Sequence, residues 1–296
     1  MPAPGQGETA ARHLRLMALG REDLELARLA EAHWDAIAIL GEANREYESG
    51  AIYGVWASET PGEQLALNPV GSSFVLSGTK RFCSGTGILT NALVIVSQPQ
   101  HFLLDIKLPP EGNGICFDET DWKTDAFDSI HTAKTTFNEV PIHKDQIVGP
   151  PRWYLDRVGF WWGACGPAAC WAGGGQALAD YALRQLRQDA HSLAHLGAMQ
   201  AAVWELRSCL IQAGHNIDGN EDNTTATARI LALTLRHLVE QACTDILRRF
   251  ARAYGPRPLI SDEKISRLYH ELDLYLRQSH AERDLEAIGR DLQSDK

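Results

Sequence analysis

The chain has 296 residues and is 44% hydrophobic, enough to bury a large core as one domain or as two or three smaller ones. Its 28 basic and 38 acidic residues leave a net charge of −10, which argues against nucleic acid or an anionic membrane as partner. Apolar runs are broken by charge or glycine before membrane-spanning length, and residues 1–9 lack a signal-peptide layout. A soluble cytoplasmic protein is expected. Six cysteines without a CxxC pair or metal-like spacing to the 11 histidines predict reduced thiols and no metal site.

In chain order, residues 1–10 read as loosely attached. From residue 11 to 44, apolar residues recur at three- and four-residue intervals, including Leu14, Leu24, Trp34 and Leu40. Two helices are expected there, separated at Gly20. His33 and Asp35 fall on the second, read as a solvated or satisfied face.

From residue 52 to about 149 the texture changes to short strands: 52–57, 73–77, 80–84, 92–97, 101–107, 115–117 and 135–140. Turn residues punctuate them, Pro69, Gly71 and Pro110 among others, and Pro141 is expected to end the last pairing. Ser77-Gly-Thr-Lys80 reads as the turn of a β-hairpin. Many short strands suggest an antiparallel barrel or sandwich.

From residue 151 onward the chain is helical again, over about 152–186, 192–215, 225–254 and 262–289. Gly214, Gly219-Asn220 and Gly255-Pro256 mark the breaks. Four antiparallel helices with short connections predict a bundle. Gly173-Gly-Gly175 inside the first of them costs roughly 1 kcal/mol per glycine against alanine, which close packing against a helix or a second subunit would explain. The fold class is α+β multi-domain: a short N-terminal helical segment (1–50), a central antiparallel β-barrel-like domain (51–150) and a C-terminal four-helix bundle (151–296).

One stretch carries chemistry. Ser58-Glu59, followed about twenty residues later by Leu76-Ser-Gly-Thr-Lys-Arg-Phe-Cys-Ser-Gly85, resembles the two flavin-facing segments of the acyl-CoA dehydrogenase family. Phe137-Asn-Glu-Val-Pro-Ile142 is similar to that family's closing strand. The element order matches as well, so the resemblance covers about residues 20–290. In that family the flavin lies between the β-domain and the bundle, often completed by a neighbouring subunit.

The resemblance implies FAD as cofactor, a small-molecule substrate such as an acyl thioester, and a homodimer or homotetramer. Trp56 and Ser58 would run along the isoalloxazine, Phe82 would pack on it, and Ser84 would bond to the ring or the pyrophosphate. On the residues alone, Ser58 and Ser84 read equally as turn-capping hydroxyls. The family's glycine pair before the last helix stands here as Tyr254-Gly255, which puts Gly255 at the cofactor.

Dehydrogenation of an acyl thioester needs a carboxylate to take the α-proton while hydride leaves for the flavin. The family's glutamate-glycine-threonine is missing; Ser279 and His280 stand at about that place, with Glu282 two residues on. A histidine there resembles the flavin monooxygenase branch of the superfamily, which uses reduced flavin and oxygen. Its alternative is a histidine on a charged helix face. Glu271 and Asp273 read as structural acids pairing with Arg267 or Arg277. The N-terminal helical domain is shortened, the arginine usual near residues 126–128 is Asp128, and only Arg184 and Arg187 follow Tyr181. The expected activity is oxidation of a Cα–Cβ bond, with the monooxygenase or a non-catalytic homologue as alternatives.

Overall fold

The computed structural model describes residues 1–109, 112–185, 187–219 and 224–294. Pro110, Leu186 and Asn220, used above as boundaries, lie outside these. The chain forms two compact units: residues 32–160 in one, and 1–31 with 161–296 in the other. The first unit is described by its sheets and the second by its helices.

Among its described residues the β-unit holds eight strands. β1 (Tyr53–Trp56), β4 (Asn91–Val96), β5 (Phe102–Lys107) and β8 (Ile147–Val148) form one four-stranded sheet in the order β1-β4-β5-β8. β2 (Leu65–Val70), β3 (Ser73–Ser84), β7 (Thr132–Ile142) and β6 (Ile115–Asp118) form the other, ordered β2-β3-β7-β6. No closed barrel results. An isolated Ala66–Gln98 bridge connects the sheets. β1 pairs with β4 in parallel, and the remaining pairs are antiparallel.

β4 is buried at all six positions because both its faces are covered. On one side Trp56, Leu67, Leu76, Val94, Leu104 and Phe137 share a core. On the other, Ala36, Ile39 and Leu40 of α2 (Leu24–Glu42) pack with Tyr53, Leu93, Ile95 and Leu103.

Three strand expectations change. β3 runs unbroken from Ser73 to Ser84, so the Gly78 region is no hairpin turn: Gly78 takes φ +122° in a bulge, where a side chain would strike the Gln64 carbonyl. The hairpin lies earlier, between β2 and β3, and Pro69 sits within β2 because that strand is the sheet's edge. Pro141 does not end β7, which pairs on to Ile142 with Phe74. β6 reaches only as far as Phe137, so no ladder on that flank needs a proline N–H.

In the helical unit, α1 (Thr9–Glu22) packs against α5 (Cys165–Arg184) and α6 (Ala190–Asp218), with α7 (Thr225–Tyr254) and α9 (Glu263–Leu276) completing the bundle. α10 (Glu282–Ser294) packs on α7. Of the short helices, α3 (Trp153–Asp156) belongs to residues 32–160, α4 (Gly159–Gly163) falls at the boundary and α8 (Arg257–Ser261) lies between α7 and α9.

The three glycines of α5 each meet a different neighbour. A Cβ on Gly173 would collide with the α1 backbone at Met17 and Gly20, one on Gly174 would press Leu24 and Leu272, and one on Gly175 would press Cys243 and Ile246. Internal packing therefore accounts for them, and they give no argument for a partner subunit. Gly20 lies inside α1, not at its end, because a Cβ there would sit 2.5 Å from the Cys170 carbonyl. The break falls at Asp23, whose backbone is extended and whose carboxylate accepts the Leu26 N–H at 2.9 Å.

The N-terminus is tied down. Asp218 at the end of α6 accepts from Gly7 N (3.0 Å), Thr9 N (2.8 Å) and Thr9 Oγ1 (2.5 Å). Of the six thiols, Cys116 on β6 is exposed. Burial pushes Cys83 up to about 11 and Cys165 up to about 12, which leaves them inert. Among the described residues, no helix is long and apolar enough to cross a membrane.

Candidate functional site

The sequence of β3 creates an outward-facing aromatic ring. Its pairing with β7 is in register up to Lys80–Thr135 and resumes at Cys83–Ala133, leaving Arg81 and Phe82 in a bulge. Phe82 takes φ +60° there, a left-handed conformation costing an L-residue roughly 1–2 kcal/mol. The bulge turns the ring to solvent, where it is 57% exposed. Its neighbours are buried: Lys80 points inward and is lowered by desolvation, and Cys83 is fully covered.

Ser58 and Ser84 flank that bulge. Ser58, just past β1, donates its hydroxyl to the Arg81 carbonyl at 2.9 Å, so the loop after β1 is fastened to the bulge itself. Ser84 Oγ lies 3.0 Å from Thr132 Oγ1, its partner across the β3–β7 ladder. Neither of these bonds is the local one of a turn-capping hydroxyl, since one spans 23 residues and the other 48, and each hydroxyl keeps acceptor capacity. Trp56 is core, 3% exposed, with its indole N–H donating to the Ser84 carbonyl at 3.0 Å. Its part is to hold Ser84 from beneath.

The small residues after Ser84 are less available than their composition suggests. Gly85 N donates to the Ile130 carbonyl at 2.8 Å and Thr86 N to the His131 carbonyl at 3.2 Å. Those amides belong to the start of β7. Around the bulge, Arg81 ion-pairs with Glu63 and, at 2.7 Å, with Asp121, while Lys134 meets Asp118 at 3.0 Å. Asp118 is held well below the usual carboxylate range by the Thr120 hydroxyl and then by Lys134.

In the helical unit, the fourth expected helix is two. α9 stops at Leu276 and α10 begins at Glu282, with Ala281 at φ +49° in the connecting turn. His280 stands in that turn, exposed, its Nδ1 3.4 Å from Asp284 Oδ1 and its backbone N–H donating to Asp284 Oδ2 at 3.1 Å. Asp284 is 7% exposed. Glu282 is exposed on the first turn of α10. Gly255 ends α7 at φ +63°, with open space where a Cβ would be. Asp273 pairs with Arg277 at 3.5 Å as expected, whereas Glu271 is buried in α9.

His280 and Glu282 share the α9–α10 turn, which Arg236 of α7 holds, whereas Gly255 stands nineteen residues further along α7 and is not brought to them. Within the β-unit, Trp56, Ser58, Phe82 and Ser84 gather at the bulge. Sequence reasoning missed the His131–Glu119 pair beside Ser84, at 3.1 Å. Its only sequence signal is a histidine directly before a strand.

No family model matches the sequence, and no curated protein matches it significantly. Solved structures do. KijD3 in complex with FMN and a dTDP-amino-keto sugar superposes with TM-score 0.82 at 14% identity, over 96% of this chain and 79% of that one. FMN-bound TdsC, a dibenzothiophene monooxygenase from Paenibacillus sp. A11-2, gives 0.81 at 15% identity over 97% and 84%. Butyryl-CoA dehydrogenase from Megasphaera elsdenii gives 0.80 at 14% identity over 95% and 81%. The likeness establishes the fold, which is that of the acyl-CoA dehydrogenases: helices, then two sheets, then helices.

Proposed function

We propose that the chain is a flavin-dependent oxidoreductase acting on a small molecule, with the isoalloxazine seated on Phe82 between Ser58 and Ser84. One observation carries this reading: Phe82 is an apolar ring held outside at the cost of backbone strain, with a hydroxyl fixed on either side. That arrangement fits a flat ring with polar edges. KijD3 and TdsC, which share the fold, hold FMN.

A bound flavin would supply hydride or electron transfer. The chain's own residues do the rest. Phe82 offers a face for stacking, and Ser58 and Ser84 direct hydroxyl oxygens to the polar rim. Trp56 keeps Ser84 in place by its hydrogen bond to the carbonyl. Because the Gly85 and Thr86 amides are already used, this segment is a seat for the ring and not for a pyrophosphate. It suits FMN as well as the FAD implied by the sequence resemblance.

Of the two reactions, the helical unit favours the oxygen-dependent one. The α9–α10 turn presents the exposed imidazole of His280, while the carboxylate beside it, Asp284, is engaged by the His280 backbone N–H. Dehydrogenation of an acyl thioester keeps one support, the exposed carboxylate of Glu282. A homodimer or homotetramer now rests on surface alone: Trp204 on α6 is 73% exposed.

Flavin absorbance of the purified protein, alone or after adding FMN or FAD, tests the seat. Ser84→Asp sets a carboxylate against the acceptor atoms on the ring's polar edge and should expel the flavin; full retention would refute the seat. Anaerobic bleaching by an acyl-CoA supports dehydrogenation. Oxygen consumption driven by a flavin reductase and NADH, and lost in His280→Asn, supports the monooxygenase.

A further inference from the structure

We propose that His131, oriented by Glu119, is a proton-accepting site built onto the Ser84–Thr86 turn, serving a ligand with a weakly acidic N–H or O–H. It rests on the flavin reading only for what lies beside it.

The construction is local and over-determined. His131 is a non-glycine residue at φ +47°, so its backbone is strained as that of Phe82 is, and the two left-handed residues flank the Ser84–Thr132 pair of the same ladder. Three donors hold its carbonyl: Gly85 N at 3.1 Å, Thr86 N at 3.2 Å and Thr86 Oγ1 at 2.9 Å. Glu119, following β6, reaches the imidazole Nδ1 with Oε2 at 3.1 Å, and its Oε1 lies 3.3 Å from Thr86 Oγ1. Thr86 therefore braces His131 through its N–H, and the one proton of its hydroxyl goes to the nearer His131 carbonyl or to Glu119.

An ordinary surface ion pair has neither the strain nor the brace. Glu119 is a carboxylate and can only accept, so the imidazole gives it the Nδ1–H. The lone pair is then on Nε2, with the ring half exposed. When a ligand X–H donates there, the new bond is Nε2–H, the electron pair stays on X, and the imidazolium keeps its Nδ1–H on Glu119. Glu119 is a positioning residue in this scheme.

The test is long-range 1H–15N NMR of the full-length, 15N-labelled protein at about pH 8, where a histidine is neutral. His131→Asn, which tolerates the left-handed backbone, identifies the signals. The wild-type chain and Glu119→Asp should show one tautomer with the proton on Nδ1, and Glu119→Gln should lose it for a mixture. A mixed or Nε2-protonated tautomer in the wild type overturns the proposal. Added FMN should shift the His131 signals; FMN bound by absorbance with those signals unmoved also overturns it. If no FMN binds, the flavin reading fails, and the tautomer alone decides for or against the proton-accepting pair.

Discussion

Arg236 Nη2 donates to the carbonyl of Gln278 at 2.8 Å, while its Nη1 donates to Ala164 at 2.9 Å. One guanidinium on α7, buried over the face of Trp171 at 4.7 Å, thereby ties the start of α5 to the turn that carries His280. Burial lowers its pKa and the nearby Asp284 opposes that. Removing it leaves two carbonyls and a buried carboxylate without their cation. Arg236→Met should cost about 3–5 kcal/mol in urea unfolding. Arg236→Lys, which keeps the charge but not the planar fork, should fall between the two.

Phe82→Gly separates strain from stacking. Glycine adopts φ +60° freely, which recovers roughly 1 kcal/mol and offsets its greater entropy loss, so stability should stay within about 1 kcal/mol of wild type. Flavin affinity should drop about tenfold or more, by analogy with base stacking on aromatic side chains. Fluorescence titration with FMN reads the second effect and a urea melt the first. Unchanged affinity would count against the ring seat.

Acid should weaken the fold through two histidines of opposite tautomer. His13 on α1 donates Nδ1–H to the Leu210 carbonyl at 3.0 Å, and His33 accepts the Tyr53 N–H on Nδ1 at 3.2 Å. Burial lowers both below 6.5. The unfolded chain takes up these protons first, so the contribution is complete above about pH 6.5 and declines as pH falls below it. Fully buried His13 should give up to about 1.4 kcal/mol per pH unit, and half-buried His33 less. Urea midpoints at decreasing pH check this, with a flatter slope expected in His13→Gln.

The glycine run of α5 should be graded. Gly173→Ala forces a methyl into the α1 backbone, which cannot yield, and should cost about 2 kcal/mol or more. Gly174→Ala meets the tips of Leu24 and Leu272 at 3.2–3.3 Å and gains about 1 kcal/mol of helix propensity, so it should be near neutral. Thermal melts of the two variants rank them directly.

What the sequence announced, and what it hid, divides along the range of the causes. Alternation and turn residues marked β1, β4, β5 and β6 within a residue or two, because those signals are local. β2 was hidden by Pro69, which an edge strand tolerates. The split between α9 and α10 has no glycine or proline to mark it; it is imposed by Arg236 on the Gln278 carbonyl and by Asp284 on the His280 N–H. Phe82 was legible as a candidate ring, yet its exposure depends on a bulge that only pairing with β7 creates. The brace on His131 likewise needs Thr86 and Glu119, 45 and 12 residues away in the chain.

Cys116 gives the natural sequence a built-in attachment point. With Cys83, Cys165, Cys170 and Cys243 enclosed and Cys209 pushed up to about 11, a maleimide dye at neutral pH should mark β6 first. Its cross-strand partner Thr136 in turn faces Thr79 of β3, so the dye sits two strands over from the bulge. Ligand arrival at that bulge could then be followed as quenching, with no engineered cysteine.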